Sequence, residues 1–264
     1  MSTPSSCDER IPDISRALEE WFQGPSGTRL NATEKEILDR FAEGLFGYYL
    51  VHVQGVPDSA QPLESCSIRN KLRLTVSPAQ TGSDLCAIGE QLPLQSDSLD
   101  AVVLRHTLDF AVDPHQVLRE VERVLIPEGR VLIVGFNPFS LWGLWRLALR
   151  WRGHVPWCGH FLSFRRVADW LRLLGFDIEY TDVAAFTPPL PERWLRYMGR
   201  LDGVGRKVWP MVAGVYVIRA VKRVSTVTPV KLRWRALRVL SPNGGMVEPS
   251  ARRGLMQKGM GERE

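Results

Sequence analysis

Leu92-Pro93-Leu94-Gln95-Ser96-Asp97-Ser98-Leu99-Asp100-Ala101-Val102-Val103, followed after a short gap by residues 113–133 (DPHQVLREVERVLIPEGRVLI), is the stretch that decides the fold of this 264-residue chain. Leu99 to Leu104 and Arg130 to Gly135 are short apolar runs rich in Val and Ile, the pattern of parallel strands covered on both faces. Between them the spacing predicts a helix. Asp113 is a good N-cap, Pro114 suits the first helical position and Gln116 completes a capping box. Val117, Leu118, Val121, Val124 and Leu125 form one apolar stripe, with Arg119, Glu120, Glu122 and Arg123 opposite, and Pro127 and Gly129 end the helix. A strand, a helix and a second strand of these lengths make a right-handed parallel crossover.

The same alternation extends outward. Tyr48 to Val53, Leu72 to Val76 and Leu85 to Ile88 read as earlier strands, and Ile178 to Val183 and Val212 to Ala220 as closing ones. A helix is expected from Ser163, with Phe164, Val167, Ala168, Leu171 and Leu174 on one face and Gly175 as its stop. Ahead of the strands, Ile14, Ala17, Leu18, Trp21 and Phe22 form one helical stripe. Ile37, Leu38, Phe41, Ala42 and Leu45 form another, opened by a capping box of Thr33 and Glu36, with Gly24 to Asn31 as the loop between. The expected architecture is an α/β, Rossmann-like, doubly wound, mostly parallel sheet in which ligands bind beyond the carboxyl ends of the strands. Three segments follow: an N-terminal helical segment (1–46), the α/β domain (47–224) and a basic tail (225–264) expected to be disordered.

Bulk properties fit a soluble globular protein, with 44% hydrophobic and 24% charged residues. The net charge of +5 is unevenly spread: from Lys222 onward ten Lys/Arg face three acids, a balance of +7 that leaves −2 for the rest. Cys7, Cys66, Cys86 and Cys158 show no disulfide spacing, and the opening residues lack the basic and apolar regions of a secretory signal. The cytoplasm is therefore the expected compartment.

The stretch quoted first resembles the latter half of the type 11 methyltransferase domain, a branch of the class I S-adenosylmethionine-dependent methyltransferases. In that family an LPF…S-F-D turn enters the fourth strand, and a helix ending R-V-L-x-P-G-G enters the fifth. The close likeness covers about 50 residues and a looser one runs from 47 to 222. It implies seven strands with the last antiparallel, S-adenosyl-L-methionine as cofactor, and methyl transfer as activity.

Carried over residue by residue, the resemblance also implies where the cofactor lies. His52, Gln54 and Gly55 stand where the family has an acidic, glycine-rich turn after the first strand; only Gly55 of that turn is kept, and Pro57 removes a backbone donor. Thr75 replaces the acid that accepts from the ribose hydroxyls. Ile88 replaces the residue at the adenine amino group, with Gly89, Glu90 and Leu92 following. Asp58 or Glu64 can stand in at the ribose, and a backbone carbonyl at adenine.

His106 and Thr107 follow the fourth strand, on the methionine and substrate side. His106 is the candidate catalytic base, since its pKa lies near working pH; the alternative is a histidine that bonds a neighbouring backbone group. Arg105 can pair with a substrate carboxylate or be a surface charge. Phe136, Asn137 and Phe139 follow the fifth strand and are the candidate substrate residues, although Asn137-Pro138 also reads as a plain turn capped by Ser140.

Leu141 to Trp157 (LWGLWRLALRWRGHVPW) holds four of the nine tryptophans and three arginines. It reads as an insertion packed on the sheet with its arginines reaching outward, as a lid over an apolar substrate, or as a membrane-surface helix. His154, Cys158 and His160 are too few to set a zinc site, so no metal is expected. The functional expectation is methyl transfer from S-adenosylmethionine to a small-molecule acceptor, with no nucleic-acid partner. The alternative is a methyltransferase-like binding or scaffolding module without catalysis.

Overall fold

The computed structural model describes residues 11–56, 63, 66–75, 84–87, 89–149, 157, 159–185 and 213–224. Its elements are α1 (Ile11–Gln23), α2 (Pro25–Ala42), β1 (Tyr49–Gln54), β2 (Asn70–Thr75), β3 (Leu85–Cys86), β4 (Leu99–Arg105), α3 (Thr107–Phe110), α4 (Pro114–Val124), β5 (Leu125–Phe136), α5 (Leu141–Leu149), α6 (Phe164–Leu173), β6 (Phe176–Ala184) and β7 (Val215–Lys222). The strands form one seven-stranded sheet in the order β3-β2-β1-β4-β5-β7-β6. β1 pairs in parallel with β2 and β4, and β4 with β5. β7 runs antiparallel to both β5 and β6. This is the doubly wound sheet that the alternating pattern implies, with the antiparallel last strand that the family resemblance implies.

Strand alternation sorts the core into two layers. Val51, Val53, Val102, Leu104, Val131 and Ile133 face α4 and α6. Leu50, Ala101, Val103, Leu132 and Val134 face the layer of α1 and α2. The helix before β5 forms for the reasons its sequence gives: Asp113 Oδ1 accepts from His115 N at 2.9 Å and Gln116 N at 3.2 Å. The outward half of the expected capping box is made by another residue, since Asp113 N donates to Glu90 Oε1. Val117, Leu118, Val121 and Val124 are completely buried, each stabilising the fold by about 1.5–3 kcal/mol. Pro127 and Gly129 lie within β5, where the register shifts between Leu99 and Ala101, and α4 itself ends at Val124.

The N-terminal segment departs from the sequence expectation. No loop spans Gly24 to Asn31: Gly24 alone is extended, Pro25 opens the helix, and α2 continues to Ala42. Thr33 is therefore internal, its Oγ1 donating to Arg29 O at 3.1 Å in place of capping. Turn-forming residues are overruled here by packing, because Gly27, Leu30, Asn31, Glu34, Ile37 and Leu38 make one buried stripe. A Cβ on Gly27 would lie 2.4 Å from Phe22 Cα, so the close crossing of α1 and α2 requires glycine.

α5 is described as far as Leu149, and the rest of the tryptophan-rich segment, apart from Trp157, lies outside the described residues. The chain divides into units 1–225 and 226–264, and the second, with the basic tail, also lies outside them.

Candidate active site

The sheet changes winding direction between β1 and β4: the chain passes from β1 to β2 and β3 on one side, and from β4 to β5 on the other. A crevice opens beyond the carboxyl ends of strands at such a point. Gln54, the last residue of β1, lies between Thr75 of β2 and Arg105 of β4 in the register. Gly55 N donates to Arg105 O at 3.0 Å, and Thr107 Oγ1 donates to Val53 O at 2.8 Å. A Cβ on Gly55 would sit 2.6 Å from His106 O and 2.7 Å from Thr107 Cα. The glycine lets the end of β1 lie directly on the turn that follows β4.

That turn holds His106 in the left-handed region, at φ 52° and ψ 13°. Such strain in a non-glycine residue costs on the order of 1–3 kcal/mol and persists where its surroundings enforce it. Both ring nitrogens are engaged. Nε2 lies 2.8 Å from Glu34 Oε1, and Nδ1 lies 2.9 Å from Asp109 Oδ2. Asp109 is itself oriented by Phe136 N, which donates to Oδ2 at 3.0 Å. The second oxygen of Glu34 accepts from Arg105 Nε at 2.8 Å, and Arg105 Nη2 donates to Asn31 Oδ1. All five side chains are buried, so two carboxylates, a guanidinium and an imidazole share one buried compartment.

Burial alone would raise the pKa of Glu34, but the charges and hydrogen bonds of His106 and Arg105 outweigh it and hold the carboxyl below its ordinary value. Burial likewise disfavours the His106 cation, yet the Glu34 charge and the two carboxylate hydrogen bonds prevail, raising it to about 8. His106 is thus an imidazolium near neutrality, with no free nitrogen to take a proton in this arrangement. Asp109 is shifted upward by burial, which its bonds to His106 and the backbone only partly offset.

His52, buried on β1, moves the opposite way. Burial, then the Arg105 and Arg73 charges, lower it to about 3. Its Nδ1 lies 3.4 Å from Gln54 Nε2, and its Nε2 has no hydrogen-bond partner among the described residues. Tyr216 OH is also without one among them, and burial, reinforced by the Asp109 charge, pushes that phenol well above its ordinary value.

An aromatic wall closes the β5 end. Phe136 stacks on His106 with ring centroids 4.0 Å apart and on Phe161 at 4.7 Å. Trp142 lies 5.9 Å from each of Phe136, Trp21 and Trp157. Arg146 of α5 turns inward to this wall: its Nε donates to Trp157 O at 3.2 Å and its guanidinium covers Phe161. The outward arginine expected of a packed insertion is therefore not seen at this position.

His52, Gln54, Gly55, Thr75, His106, Thr107 and Phe136 are brought to the β1, β2, β4 and β5 ends. Gly89 is buried against Thr107 and Val117, and Glu90 Oε1 accepts from Val112 N and Asp113 N at the start of α4. Leu92 N donates to Glu120 Oε2 at 3.1 Å. Ile88 lies outside the described residues. Asn137 forms the turn its sequence suggests, with Nδ2 donating to Ala213 O at 3.0 Å and Oδ1 accepting from Phe139 N at 3.1 Å. Phe139 is 75% exposed and takes no part in the aromatic wall. Glu34 and Asn31 were hidden from sequence reasoning by the loop assigned to 24–31; the signal was their place at helical spacing among Leu30, Ile37 and Leu38. Among the described residues no cluster of His, Cys, Asp and Glu is arranged to hold a metal ion, and no helix is long and apolar enough to cross a membrane.

Comparison with known proteins agrees with the fold. Residues 40–133 match the family model of the methyltransferase domain. YafS of Escherichia coli (strain K12), an uncharacterized protein, is 28% identical over 194 residues, 73% of this chain and 77% of that protein. A methyltransferase of Thermotoga maritima, described as a possible histamine N-methyltransferase, superposes with a TM-score of 0.56 at 19% identity, covering 82% of this chain and 98% of that one. Geranyl diphosphate C-methyltransferase from Streptomyces coelicolor A3(2), in complex with Mg2+, geranyl diphosphate and S-adenosyl-L-homocysteine, gives 0.54 at 16% identity, covering 84% and 100%.

Proposed function

We propose that this chain is a class I S-adenosylmethionine-dependent methyltransferase, a reading supported by the methyltransferase-domain match over residues 40–133 and the sheet order, and that it transfers a methyl group to a small-molecule acceptor held at the ends of β1, β4 and β5. The observation that carries the acceptor class is enclosure. His106, Phe136, Phe161 and Trp142 are buried side by side at the end of β5, an aromatic lining of the kind that small-molecule sites use. The solved relatives named for histamine and geranyl diphosphate act in the same direction. The basic excess lies at 225–264, where eight Lys/Arg face three acids, outside the α/β domain, so no nucleic-acid partner is assigned, and the cytoplasm is the proposed compartment.

The residues at the crevice fit the family cofactor, S-adenosylmethionine, by the chemistry they present. The Thr75 hydroxyl, the Gln54 amide and the Gly89 backbone are neutral groups suited to a nucleoside. Arg105 and His106 on one side, and Glu34 and Asp109 on the other, match an amino-acid zwitterion. Bound there, the cofactor supplies an electrophilic methyl group on a sulfonium. The protein's own part is to position the acceptor, exclude water with the aromatic wall, and hold His106 in place through Asp109. His106 serves in this reading as an oriented cation; removal of an acceptor proton, where needed, falls to a carboxylate.

Calorimetry with S-adenosyl-L-homocysteine tests the reading, followed by transfer of labelled methyl to an acceptor library. Micromolar binding and transfer to a small molecule are expected. Absence of binding up to millimolar ligand refutes it and favours the non-catalytic module.

A further inference from the structure

Glu34 is an odd residue for its place. It lies in the middle of the apolar stripe of α2, between Leu30 and Leu38, with its carboxylate in a compartment that a Leu would fill at lower desolvation cost. Buried ion clusters of this kind are weak stabilisers compared with apolar replacements. Apolar packing alone therefore does not account for an acid at this position; Glu34 stands there as the shared counter-ion of Arg105 and His106.

The geometry of Glu34 is that of a bound ligand. Its Oε2 accepts from Arg105 Nε and its Oε1 faces His106 Nε2, both at 2.8 Å, so two cations from the end of β4 grip the two oxygens of one carboxylate. The two cations are carried by the end of β4, and α2 supplies Asn31 beside Glu34. Arg105 is carried by β4, its Nη2 reaching Asn31, and His106 is oriented by Asp109, which is fixed in turn by Phe136 N. The cations also lie at the switch point of the sheet, where the crevice opens.

From this arrangement we infer that Arg105 and His106 form a carboxylate-binding pair, and that the chain's own Glu34 occupies it as an internal competitor until a ligand carboxylate takes its place. α2 is then a self-inhibiting cover. Exchange is charge-neutral within the crevice, since one carboxylate replaces another, while Glu34 is released toward solvent or toward the ammonium group of the same ligand. The inference rests on the methyltransferase reading, and the carboxylate has two possible sources, the amino-acid end of S-adenosylmethionine or the acceptor.

The test compares wild type with Glu34→Gln, using three probes by calorimetry: S-adenosyl-L-homocysteine, 5′-methylthioadenosine, which lacks the amino-acid end, and succinate. Removing the competitor raises the fraction of binding-competent protein, so a carboxylate probe is expected to bind the variant about tenfold tighter, with methylthioadenosine unchanged. A gain for S-adenosyl-L-homocysteine alone assigns the pair to the cofactor; a gain for succinate assigns it to the acceptor. Equal affinity of both proteins for both carboxylates overturns the inference. If neither nucleoside binds either protein, the methyltransferase reading falls, while the succinate arm still reports on the pair. If Glu34→Gln does not fold, hydrogen exchange of wild-type α2 decides. Faster exchange at 31–38 with S-adenosyl-L-homocysteine or succinate than with methylthioadenosine supports displacement, and identical exchange overturns it.

Discussion

His106 and His52 lie in the same crevice and are shifted in opposite directions, which fixes the shape of stability against pH. His106 has a folded pKa of about 8 against an ordinary 6.5. The fold holds its proton more tightly than the unfolded chain does. This contribution is therefore complete below about pH 6.5 and disappears as pH rises through 8. A separation of about 1.5 pH units at 1.36 kcal/mol each gives about 2 kcal/mol. His52, at about 3, works at the other end: below 6.5 the unfolded chain takes a proton that the fold refuses, so stability falls by about 2 kcal/mol by pH 5. The charged groups around these rings are Glu34 from α2, Arg73 from β2, Arg105 from β4 and Asp109 from α3. Urea unfolding followed by tryptophan fluorescence measures the effect. With a urea slope of about 2 kcal/mol per molar, the midpoint should drop by roughly 1 M between pH 6.5 and 9. His106→Gln should remove that alkaline decline while keeping the acid one, and comparing it with wild type cancels every other titrating group. A decline of equal size in His106→Gln refutes the assignment.

Three further outcomes follow from the same contacts. Glu34→Leu leaves Arg105 and His106 buried without their shared counter-ion and should cost about 3–5 kcal/mol in urea unfolding; a neutral result would show that the cluster is not desolvated. Gly55→Ala forces a Cβ to within 2.6 Å of His106 O, so the ends of β1 and β4 must part; about 1–3 kcal/mol of stability and most S-adenosyl-L-homocysteine binding should be lost, as calorimetry on the folded fraction will show. Phe139→Ser should change stability by less than about 0.5 kcal/mol, whereas Phe136→Ala, which removes a fully buried ring between His106 and Phe161, should cost about 3–5 kcal/mol, both read by thermal melting.

Legibility from sequence followed the range of the interactions involved. α4 could be read because its cap, its proline and its stripe all lie within 12 consecutive residues and agree with one another. β4 and β5 were plain for a similar reason, since a strand covered on both faces writes its burial into an unbroken apolar run. α2 failed because Pro25, Gly27 and Asn31 are locally turn residues. Their helical state comes from α1 and the sheet, which no local window contains. The site suffered most from that one misreading: with 24–31 assigned as a loop, Glu34 became a residue near a cap and lost its connection to His106, 72 positions away. His106 itself was found from its place after β4, but its protonation state was beyond reach, because it depends on two carboxylates that only the fold brings together.

The division of labour between the two parts of the chain follows from the same point. The stretch matching the methyltransferase family model begins at residue 40 and ends at 133, so it supplies β1, β4, Arg105, His106 and Asp109. It does not supply Glu34 or Asn31, which come from the preceding helix and complete the cluster across it. His52 stands near the place where the resemblance puts the acid of the glycine-rich turn, and burial with the Arg105 and Arg73 charges lowers its pKa to about 3. Negative charge at the switch point is supplied instead from α2, by a carboxylate placed against the β4 cations. A charge carried on a separate helix can be withdrawn by moving that helix, whereas a charge on the turn after β1 is fixed by the strand beneath it. The carboxylate at the β4 cations is here carried by α2, and under the inference drawn above that helix is where control of access to the crevice lies.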